Sequence, residues 1–326
     1  MLPRMSRPQP EPVTLARNAM ATRFEIVLHG DNPVALRAAG EEALDEIDRL
    51  EAQLSLYRPT SEIAHVNARA AHEAVRVSPP VFHLLEHARR LSEETGGAFD
   101  ITLAPLVRCW GFMGGTGRMP EAGAIEEARA KIGMRHVELN TRAFTVRFAR
   151  EGVMIDLGAI GKGYALGHAA ALLREAGATS ALLHGGTSTI QAIGSQPDGS
   201  PWRVGIERPG NAPVQAVEML AQVPLMDEAM SVSAVWGRSF ESNGKTFGHV
   251  IDARTGCPAE AALLSAVVLP SATESDALST ALLAMGSPGL NRIAGLRPGS
   301  RCLVLERNGD RLHAASAGID CPAGND

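Results

Sequence analysis

The sequence predicts a mixed α/β fold, because segments with helical periodicity alternate with segments of strand periodicity and hairpins occur among them. The chain has 326 residues, of which 45% are hydrophobic, so it can bury a large core. This length allows either one elaborated domain or two closely packed lobes.

The first half of the chain is predicted to hold two helices. An apolar stripe at helical spacing, which includes Ile47 and Leu50, predicts a helix over 31–54. A second helix begins near Pro80 and stops at a pair of glycines, 96–97. The remaining elements are a strand at 20–29, a turn-rich loop at 55–67 and a β-hairpin at 136–149.

The second half is predicted to be richer in strands. A helix over 161–176 follows a glycine-rich turn, and Gly177 suits its C-terminal cap. Ser271 and Glu274 have the spacing of a capping box, which predicts that another helix begins there. Strands are predicted at 153–157, 180–186, 202–209, 244–252, 263–269 and 301–306.

Both ends of the chain are expected to lie outside the folded domain. Residues 1–19 contain several prolines and arginines and no apolar core of signal-peptide length, so we interpret them as a disordered arm. The domain is expected over 20–315, followed by a C-terminal tail at 316–326. Without a signal peptide the protein is expected in the cytoplasm, and it would be periplasmic if the true start lay upstream.

Composition argues against several classes of function. The net charge is −5 without a block of lysine or arginine, and aromatic residues make up only 4%, so nucleic acid and anionic membranes are not expected partners. No stretch approaches the roughly 18–20 apolar residues that span a bilayer. The four cysteines (Cys109, Cys257, Cys302 and Cys321) do not have the spacing of zinc ligands.

The most informative motif is IDLGAIGKGYA at residues 155–165. One acid, Asp156, ends a predicted strand, and the glycine-rich turn that follows contains Lys162. Glycines let the backbone approach a ligand closely, and a lysine adds positive charge, as in phosphate sites. The spacing differs from that of a P-loop, so a tight strand-to-helix turn without a ligand is an equal alternative.

A second motif, SDALSTALLAMG, places Asp276 and Thr280 on one face of a predicted helix. Mg²⁺ usually takes one or two protein carboxylates and completes its shell with phosphates and water. An acid, a hydroxyl, a lysine and exposed backbone amides therefore suit a Mg²⁺–pyrophosphate site. By themselves, Asp276 and Thr280 would be ordinary helix surface.

Several other residues also have a plain structural interpretation. His249 precedes a turn at 252–256, and a lone histidine is more often a packing or surface residue than a catalytic one. Tyr57 fits an exposed position. Phe99 and Asp100 fit a core aromatic residue and a cap that follow the end of a helix.

Seven segments of the chain, in order, resemble the ApbE family of FAD:protein FMN transferases. They extend from about Met20 to Gly286 and read MATRFEI, LSLYRPTSEIAHVN, TGGAFDITLAPLVRCWGF, IDLGAIGKGYA, LLHGGTSTIQAIG, GHVIDARTGCP and SDALSTALLAMG. The resemblance implies a Mg²⁺-dependent transferase with two closely packed lobes around a nucleotide-binding cleft. Such an enzyme cleaves FAD at the pyrophosphate, attaches FMN to a threonine or serine of a target flavoprotein, and releases AMP.

Matching motif positions, the resemblance also implies the residues of the site. Asp276 and Thr280 would hold Mg²⁺ through their side chains and Ala159 through its carbonyl, and His249 would be the general base, with Asp276 as the second catalytic residue. Asp100 and Asp156 would bind polar groups of the nucleotide. Contacts with FAD are implied for Met20, Tyr57, Ala98, Phe99, Asp100, Asp156, Lys162, Gly185, Gly186, Ser233 and His249.

Two other functions stay open beside FMN transfer. The same site could give FAD to water, which would make the protein an FAD pyrophosphatase that yields FMN and AMP. Alternatively, the protein could bind FAD for storage or delivery without cleaving it. Two departures favour that reading: Ala234 stands where the family pattern has glycine, and residues 187–189 (TST) stand where an acid is frequent. An acceptor protein is expected to present its threonine in a loop of small residues.

Overall fold

The computed structural model describes residues 11–209, 218–309 and 311–321. The helices are α1 (Pro33–Leu54), α2 (Glu62–Arg69), α3 (Pro79–Glu94), α4 (Ala104–Cys109), α5 (Ala124–Arg129), α6 (Gly161–Glu175), α7 (Ala272–Met285) and α8 (Leu290–Gly295). The strands are β1 (Val13–Ala19), β2 (Thr22–Leu28), β3 (Val75–Arg76), β4 (Val137–Asn140), β5 (Thr145–Phe148), β6 (Ser180–Gly185), β7 (Thr189–Gly194), β8 (Trp202–Glu207), β9 (Met219–Leu225), β10 (Ala229–Ala234), β11 (Ser239–Ser242), β12 (Lys245–Gly248), β13 (Leu264–Leu269), β14 (Arg301–Asn308) and β15 (Arg311–Ala317).

The centre of the fold is an eight-stranded sheet in the order β1-β2-β6-β7-β10-β13-β14-β15. Neighbouring strands in this sheet are antiparallel. One face of the sheet packs against α1, α6 and α7, and the other packs against β8 and β9. The neighbouring residues Val267 and Val268 of β13 illustrate this, since Val267 lies in the first apolar cluster and Val268 in the second. The mixed α/β class predicted from the sequence is confirmed.

A smaller apolar cluster lies beside this layered core. It contains Trp110 and Phe112 after α4, together with Phe240 and Phe247 on the two-stranded sheet β11–β12. The Phe240 and Phe247 rings stack with centroids 5.2 Å apart. These aromatic contacts stabilise the β11–β12 hairpin, since a hairpin without such packing is only marginally stable in water. His249 directly follows the second strand of this hairpin.

The prediction of a disordered arm over 1–19 is wrong for the part of it that the structure describes. Residues Val13–Ala19 form β1 and pair with β2, and Arg17 forms ion pairs with acids on α1, at Glu41 and Asp48 among them. Polar and apolar residues alternate in this strand, which is a strand signal, but the prolines and arginines of residues 1–19 favoured the interpretation as an arm. Residues 1–10 lie outside the described part.

The predicted tail over 316–326 also begins too early. Strand β15 continues to Ala317, and Ile319 is buried in the cluster on the β8–β9 side of the sheet. Residues 322–326 lie outside the described part. Among the described helices, none is both long enough and apolar enough to cross a membrane.

Two predicted local structures differ from those observed. The loop at 55–67 contains the start of α2, which Ser61 caps by accepting a hydrogen bond from the Ala64 N–H at 2.9 Å. The predicted strand at 153–157 is not a strand in the structure and joins no sheet. Its burial alternates as in a strand, but its backbone bonds to the Asn67 side chain and to the Ile101 carbonyl instead of to another strand.

Helix α7 begins as predicted, with Ser271 accepting a hydrogen bond from the Glu274 N–H at 3.3 Å. The Glu274 carboxylate does not complete a capping box. It binds Arg297 at 2.7 Å and His87 at 2.9 Å. Burial alone would raise the pKa of Glu274, but these partners outweigh it and lower the pKa to about 2.

Helices α6 and α7 meet at Gly163, where no side chain fits. A Cβ atom at this position would lie 2.1 Å from the Ala272 carbonyl oxygen and 2.7 Å from the Asp276 Cβ. The Gly163 N–H donates to Asp276 Oδ2 at 2.9 Å. The contact therefore sets both the separation of the helices and the orientation of the Asp276 carboxylate.

We predict that Gly163→Ala separates these helices and lowers the free energy of unfolding by about 1–3 kcal/mol, as overpacking does in a dense core. Urea denaturation would measure the change. Gly167→Ala is the matched control in the same helix, because its Cβ would meet its nearest neighbour, Thr273 Oγ1, at an ordinary 3.8 Å. We expect this control to be neutral or up to about 1 kcal/mol more stable. Equal effects of the two substitutions would contradict the prediction.

Candidate active site

Asp276 is the buried acid at the centre of the candidate site. Its Oδ2 accepts the Gly163 N–H near the start of α6, where the helix dipole favours a negative charge. Its Oδ1 has two longer contacts, 3.4 Å to the Thr189 hydroxyl and 3.8 Å to Lys162 Nζ. Oδ2 is thus held by a hydrogen bond. Oδ1 has no partner closer than 3.4 Å among the described residues, so it is available to bind a ligand.

Three hydroxyl groups lie together beside Asp276. Ser233 Oγ is 2.9 Å from Ser279 Oγ and 3.2 Å from Thr280 Oγ1. Thr280 Oγ1 also donates to the Asp276 carbonyl at 3.3 Å, so even if Ser233 donates to it, one of its two lone pairs stays available. The structure therefore brings Ser233, predicted to contact FAD, next to the predicted metal-binding residue Thr280.

The carbonyl of Ala159 lies just before α6. This residue precedes the N-cap residue Ile160, so a regular helix start gives its carbonyl no helical donor, and no backbone N–H among the described residues donates to it. Gly163 is the third residue of the helix, and its N–H, which also has no intrahelical acceptor, donates to Asp276. The helix start that orients Asp276 thus also leaves the predicted backbone ligand without a backbone donor.

Lys162 connects the acid of α7 with the rest of the site. Its ammonium group lies 3.8 Å from Asp276 Oδ1 and donates to the Gly158 carbonyl at 3.3 Å. Its positive charge also lowers the pKa values of Asp156 and His249. Lys162 therefore interacts electrostatically with Asp276, with Asp156 and with the predicted base.

The backbone fixes the tautomer of His249. Its Nδ1 is 3.2 Å from the Arg238 carbonyl oxygen, which accepts hydrogen bonds only, so Nδ1 carries the proton and donates it. The same carbonyl accepts the His249 N–H at 3.1 Å, and the Phe112 ring lies edge-on to the imidazole. In the neutral ring, Nε2 then has the free lone pair that a general base needs.

Burial lowers the pKa of His249, and the positive charges of Arg238 and Lys162 lower it further. The hydrogen bond to the Arg238 carbonyl raises the pKa, but this effect is smaller than that of burial or of the Arg238 charge. The imidazole is therefore more fully neutral near pH 7 than an exposed histidine.

Asp156 and Tyr57 belong to the same electrostatic environment. Burial raises the pKa of Asp156, opposed by the Gly158 N–H at 2.8 Å and by the charges of Arg238 and Lys162. Tyr57 is 61% exposed, and its pKa is raised by partial burial and by the charge of Asp156. The exposed ring and the nearby acid would both be accessible to a ligand.

The predicted segment Ala98-Phe99-Asp100 differs, because its side chains are buried. The Asp100 carboxylate accepts hydrogen bonds from the Thr102 N–H and hydroxyl, at 2.7 and 2.6 Å, inside its own loop. Burial raises its pKa in spite of these bonds. The Asp100 carboxylate thus bonds within its own turn and caps no helix, since the N-cap residue of α4 is Leu103.

Three further residues with implied FAD contacts lie at turns or in the sheet. Met20 lies in the two-residue turn between β1 and β2, with a φ of 49°, and Gly186 follows β6 with a φ of 66°, close to Thr22. Gly185 is buried in the sheet, where a Cβ would come within 3.2 Å of Leu166 and Phe24.

The turn at 252–256 holds the His249 hairpin to α7. Asp252 binds Arg254 through two bonds of 2.9 and 2.8 Å, and Arg254 donates to the Ala284 carbonyl at 2.6 Å. Trp110 Nε1 donates to the Gly256 carbonyl at 2.8 Å. The turn is a structural element, and it keeps the predicted base in a fixed relation to the helix that carries Asp276.

Arg238 is the main residue of the site that sequence reasoning missed. Its carbonyl orients the His249 ring through a hydrogen bond. The positive charge of its guanidinium lowers the pKa values of His249, Asp156 and Tyr57. The only sequence signal is a Gly-Arg pair immediately after the apolar segment that contains Ala234. Without the hairpin, nothing places this arginine beside residues 80 or more positions away.

Together these residues form a site suited to an anionic, phosphate-bearing ligand, on a mixed α/β protein. Asp276, Ser279 and Thr280 come from α7 and Ser233 comes from strand β10, whereas Arg238 and His249 lie directly before and after the two strands of the β11–β12 hairpin. The model of the ApbE family matches residues 20–304. The chain belongs to the ApbE family, and the resemblance predicted from the sequence is confirmed.

Known relatives match nearly the whole chain. The FAD:protein FMN transferase of Haemophilus influenzae is 31% identical over 286 residues, which are 84% of this chain and 81% of that protein. The apo crystal structure of the Pseudomonas stutzeri flavinyl transferase ApbE has a TM-score of 0.83 at 30% identity, covering 96% of this chain and 97% of that one. The ApbE protein of Thermotoga maritima has a TM-score of 0.80 at 28% identity, covering 90% of this chain and 94% of that one.

We predict that Arg238→Gln raises the pKa of His249, because a cation that disfavours the imidazolium is removed while the orienting backbone carbonyl stays. An NMR pH titration of the histidine ring protons would measure this, with His249→Gln to assign the signal. Arg37→Gln, at an exposed position on α1, is the matched control and should leave the titration unchanged. An unchanged or lower pKa in Arg238→Gln would be evidence against this account.

Proposed function

We propose that this protein transfers FMN from FAD to a threonine, or sometimes a serine, hydroxyl of a target flavoprotein, with release of AMP. Membership of the ApbE family and the names of the relatives support the reaction. The observation that carries the proposal is the site itself: a buried acid oriented by a helix N-terminus, beside Lys162, together with a histidine held as a base. The cytoplasmic location stays a prediction.

FAD would be bound mainly by residues that are accessible around these groups. Tyr57 and Met20 would pack against a ring of the ligand, and Asp156 would accept hydrogen bonds from its polar groups. Lys162 and Arg238 would balance the charge of the pyrophosphate. The buried segment 98–100 would contribute through its backbone or through shape, because the Asp100 carboxylate is already bonded.

The residues around Asp276 fit Mg²⁺. Within the described residues no group of three or more His, Cys, Asp or Glu converges, so the site would rest on one carboxylate. That suits Mg²⁺, which usually binds one or two carboxylates together with substrate phosphates. Asp276 Oδ1, Thr280 Oγ1 and the free Ala159 carbonyl would hold the ion, which would neutralise charge that develops on the phosphate oxygens.

His249 would take the proton of the acceptor hydroxyl on Nε2. The hydroxyl oxygen then forms a bond to the phosphorus of the FMN half, and the bond from that phosphorus to the bridging oxygen breaks. The electron pair leaves with AMP, whose phosphate keeps the bridging oxygen. Because burial and two cations lower the pKa of His249, the base is neutral and ready at pH 7.

The test is mass spectrometry of an acceptor peptide, with threonine in a loop of small residues, after incubation with the protein, FAD and Mg²⁺. We expect a mass gain equal to an FMN group and the appearance of AMP. Asp276→Asn should lower the rate by at least about 100-fold, since the charge that holds the metal is lost. Asp227→Asn is the matched control: Asp227 accepts the Gly194 N–H far along the sheet, and asparagine keeps that bond.

Other outcomes assign the alternatives. Free FMN and AMP without a labelled peptide would indicate hydrolysis of FAD by water. Intact FAD on a yellow protein, unchanged by Mg²⁺, would indicate storage or delivery. Equal rates in Asp276→Asn and the wild-type protein would exclude the proposed role of Asp276.

A further inference from the structure

The segment 153–157 presents Asp156 without belonging to a sheet. Val153, Ile155 and Leu157 are buried, whereas Asp156 between them is only partly so. Because burial alternates along the segment, Asp156 lies on the less buried side of the chain, opposite Ile155 and Leu157. The orientation of Asp156 therefore depends on what fixes the backbone of this segment.

A single side chain replaces the missing strand partner. Asn67 Nδ2 donates to the Ile155 carbonyl at 2.8 Å, and Asn67 Oδ1 accepts the Ile155 N–H at 2.7 Å. An asparagine amide has a donor and an acceptor side by side, as a strand backbone does, so it satisfies both groups of one residue. The Asp156 N–H donates in turn to the Ile101 carbonyl at 2.7 Å.

Asn67 has a rigid support in α2. Ile63 and Val66 of this helix are fully buried. At the other end of the helix, the Ser61 hydroxyl donates to the Ser55 carbonyl at 2.5 Å, at the start of the loop that carries Tyr57. One short helix thus fixes the Tyr57 loop with its cap and the Asp156 segment with its last turn.

We propose that Asn67 is a positioning residue for the FAD site, which determines FAD affinity by holding the backbone of Ile155 so that the Asp156 carboxylate faces the ligand. This inference rests on the proposed function only in naming FAD as the ligand. Both polar atoms of the Asn67 amide are bonded to Ile155, so its effect on binding would pass through Asp156.

A double-mutant cycle tests this dependence. FAD affinity is measured by quenching of flavin fluorescence, without Mg²⁺ so that no transfer occurs, for the wild-type protein, Asn67→Ala, Asp156→Ala and the double variant. We expect each single substitution to weaken binding by about 10-fold and the double variant to bind no more weakly than Asp156→Ala alone. Additive losses, or an Asn67→Ala affinity equal to wild type, would overturn the proposal.

A matched control separates positioning from general loosening of α2. Gln53 on α1 donates to Glu62 at 2.7 Å and to Ser78 at 2.9 Å, so Gln53→Ala removes bonds to α2 without touching the 153–157 segment. We expect Gln53→Ala to lower Tm and leave FAD affinity unchanged. A loss of affinity equal to that of Asn67→Ala would mean that the effect is structural only and would overturn the proposal.

A second variant keeps the test decisive if Asn67→Ala does not fold, as judged by circular dichroism. Asn67→Asp retains the acceptor for the Ile155 N–H and loses the donor to its carbonyl, and in the Asp156→Ala background the added charge has no acid beside it. A loss of affinity in Asn67→Asp that disappears in that background supports the proposal, and a loss that persists overturns it. If the wild-type protein binds FAD but labels no peptide, the proposed transfer fails while this inference stands on the binding data.

Discussion

The close contact of α6 and α7 at Gly163 is the constraint on which the rest of the site depends. The two helices approach so closely that the Gly163 N–H, which has no acceptor within its own helix, reaches the Asp276 carboxylate. One backbone hydrogen bond thus orients the acid. A side chain at Gly163 would remove this bond, because packing in a dense core does not absorb an extra methyl group at 2.1 Å.

The second feature of the site is its balance of charge. Lys162 interacts with the acids Asp156 and Asp276, Arg238 interacts with Asp156, and both cations lower the pKa of His249. Without a ligand the acids and cations compensate one another, and with a pyrophosphate the cations acquire an anionic partner in a partly buried place. Electrostatic interactions are stronger there than in water, so preorganised cations are effective without further rearrangement.

Much of the fold was predictable where a segment carries its own signal. Helices α1, α3 and α6 were predicted with bounds close to those observed, and α7 with the observed start, because each has an apolar stripe, a cap or a glycine stop. Strand β1 and helix α2 were missed, since β1 lies in a region with several prolines and arginines and α2 is only eight residues long within a region of turn formers. The segment 153–157 has the burial pattern of a strand, but the Asn67 side chain takes the place of its neighbour.

The sequence by itself determined the class of the fold, the family, and the motifs that contain Asp156, Lys162, His249 and Asp276. These follow from local spacing and residue chemistry, which survive without knowledge of the fold. Only the tertiary structure decided that Asp100 bonds within its own loop, that Gly185 is buried, and that Arg238 and Asn67 act on residues far away in the chain. The reason is physical: burial, hydrogen-bond partners and electrostatic neighbours depend on contacts between distant segments, and those contacts exist only when the sheet and its helices are assembled.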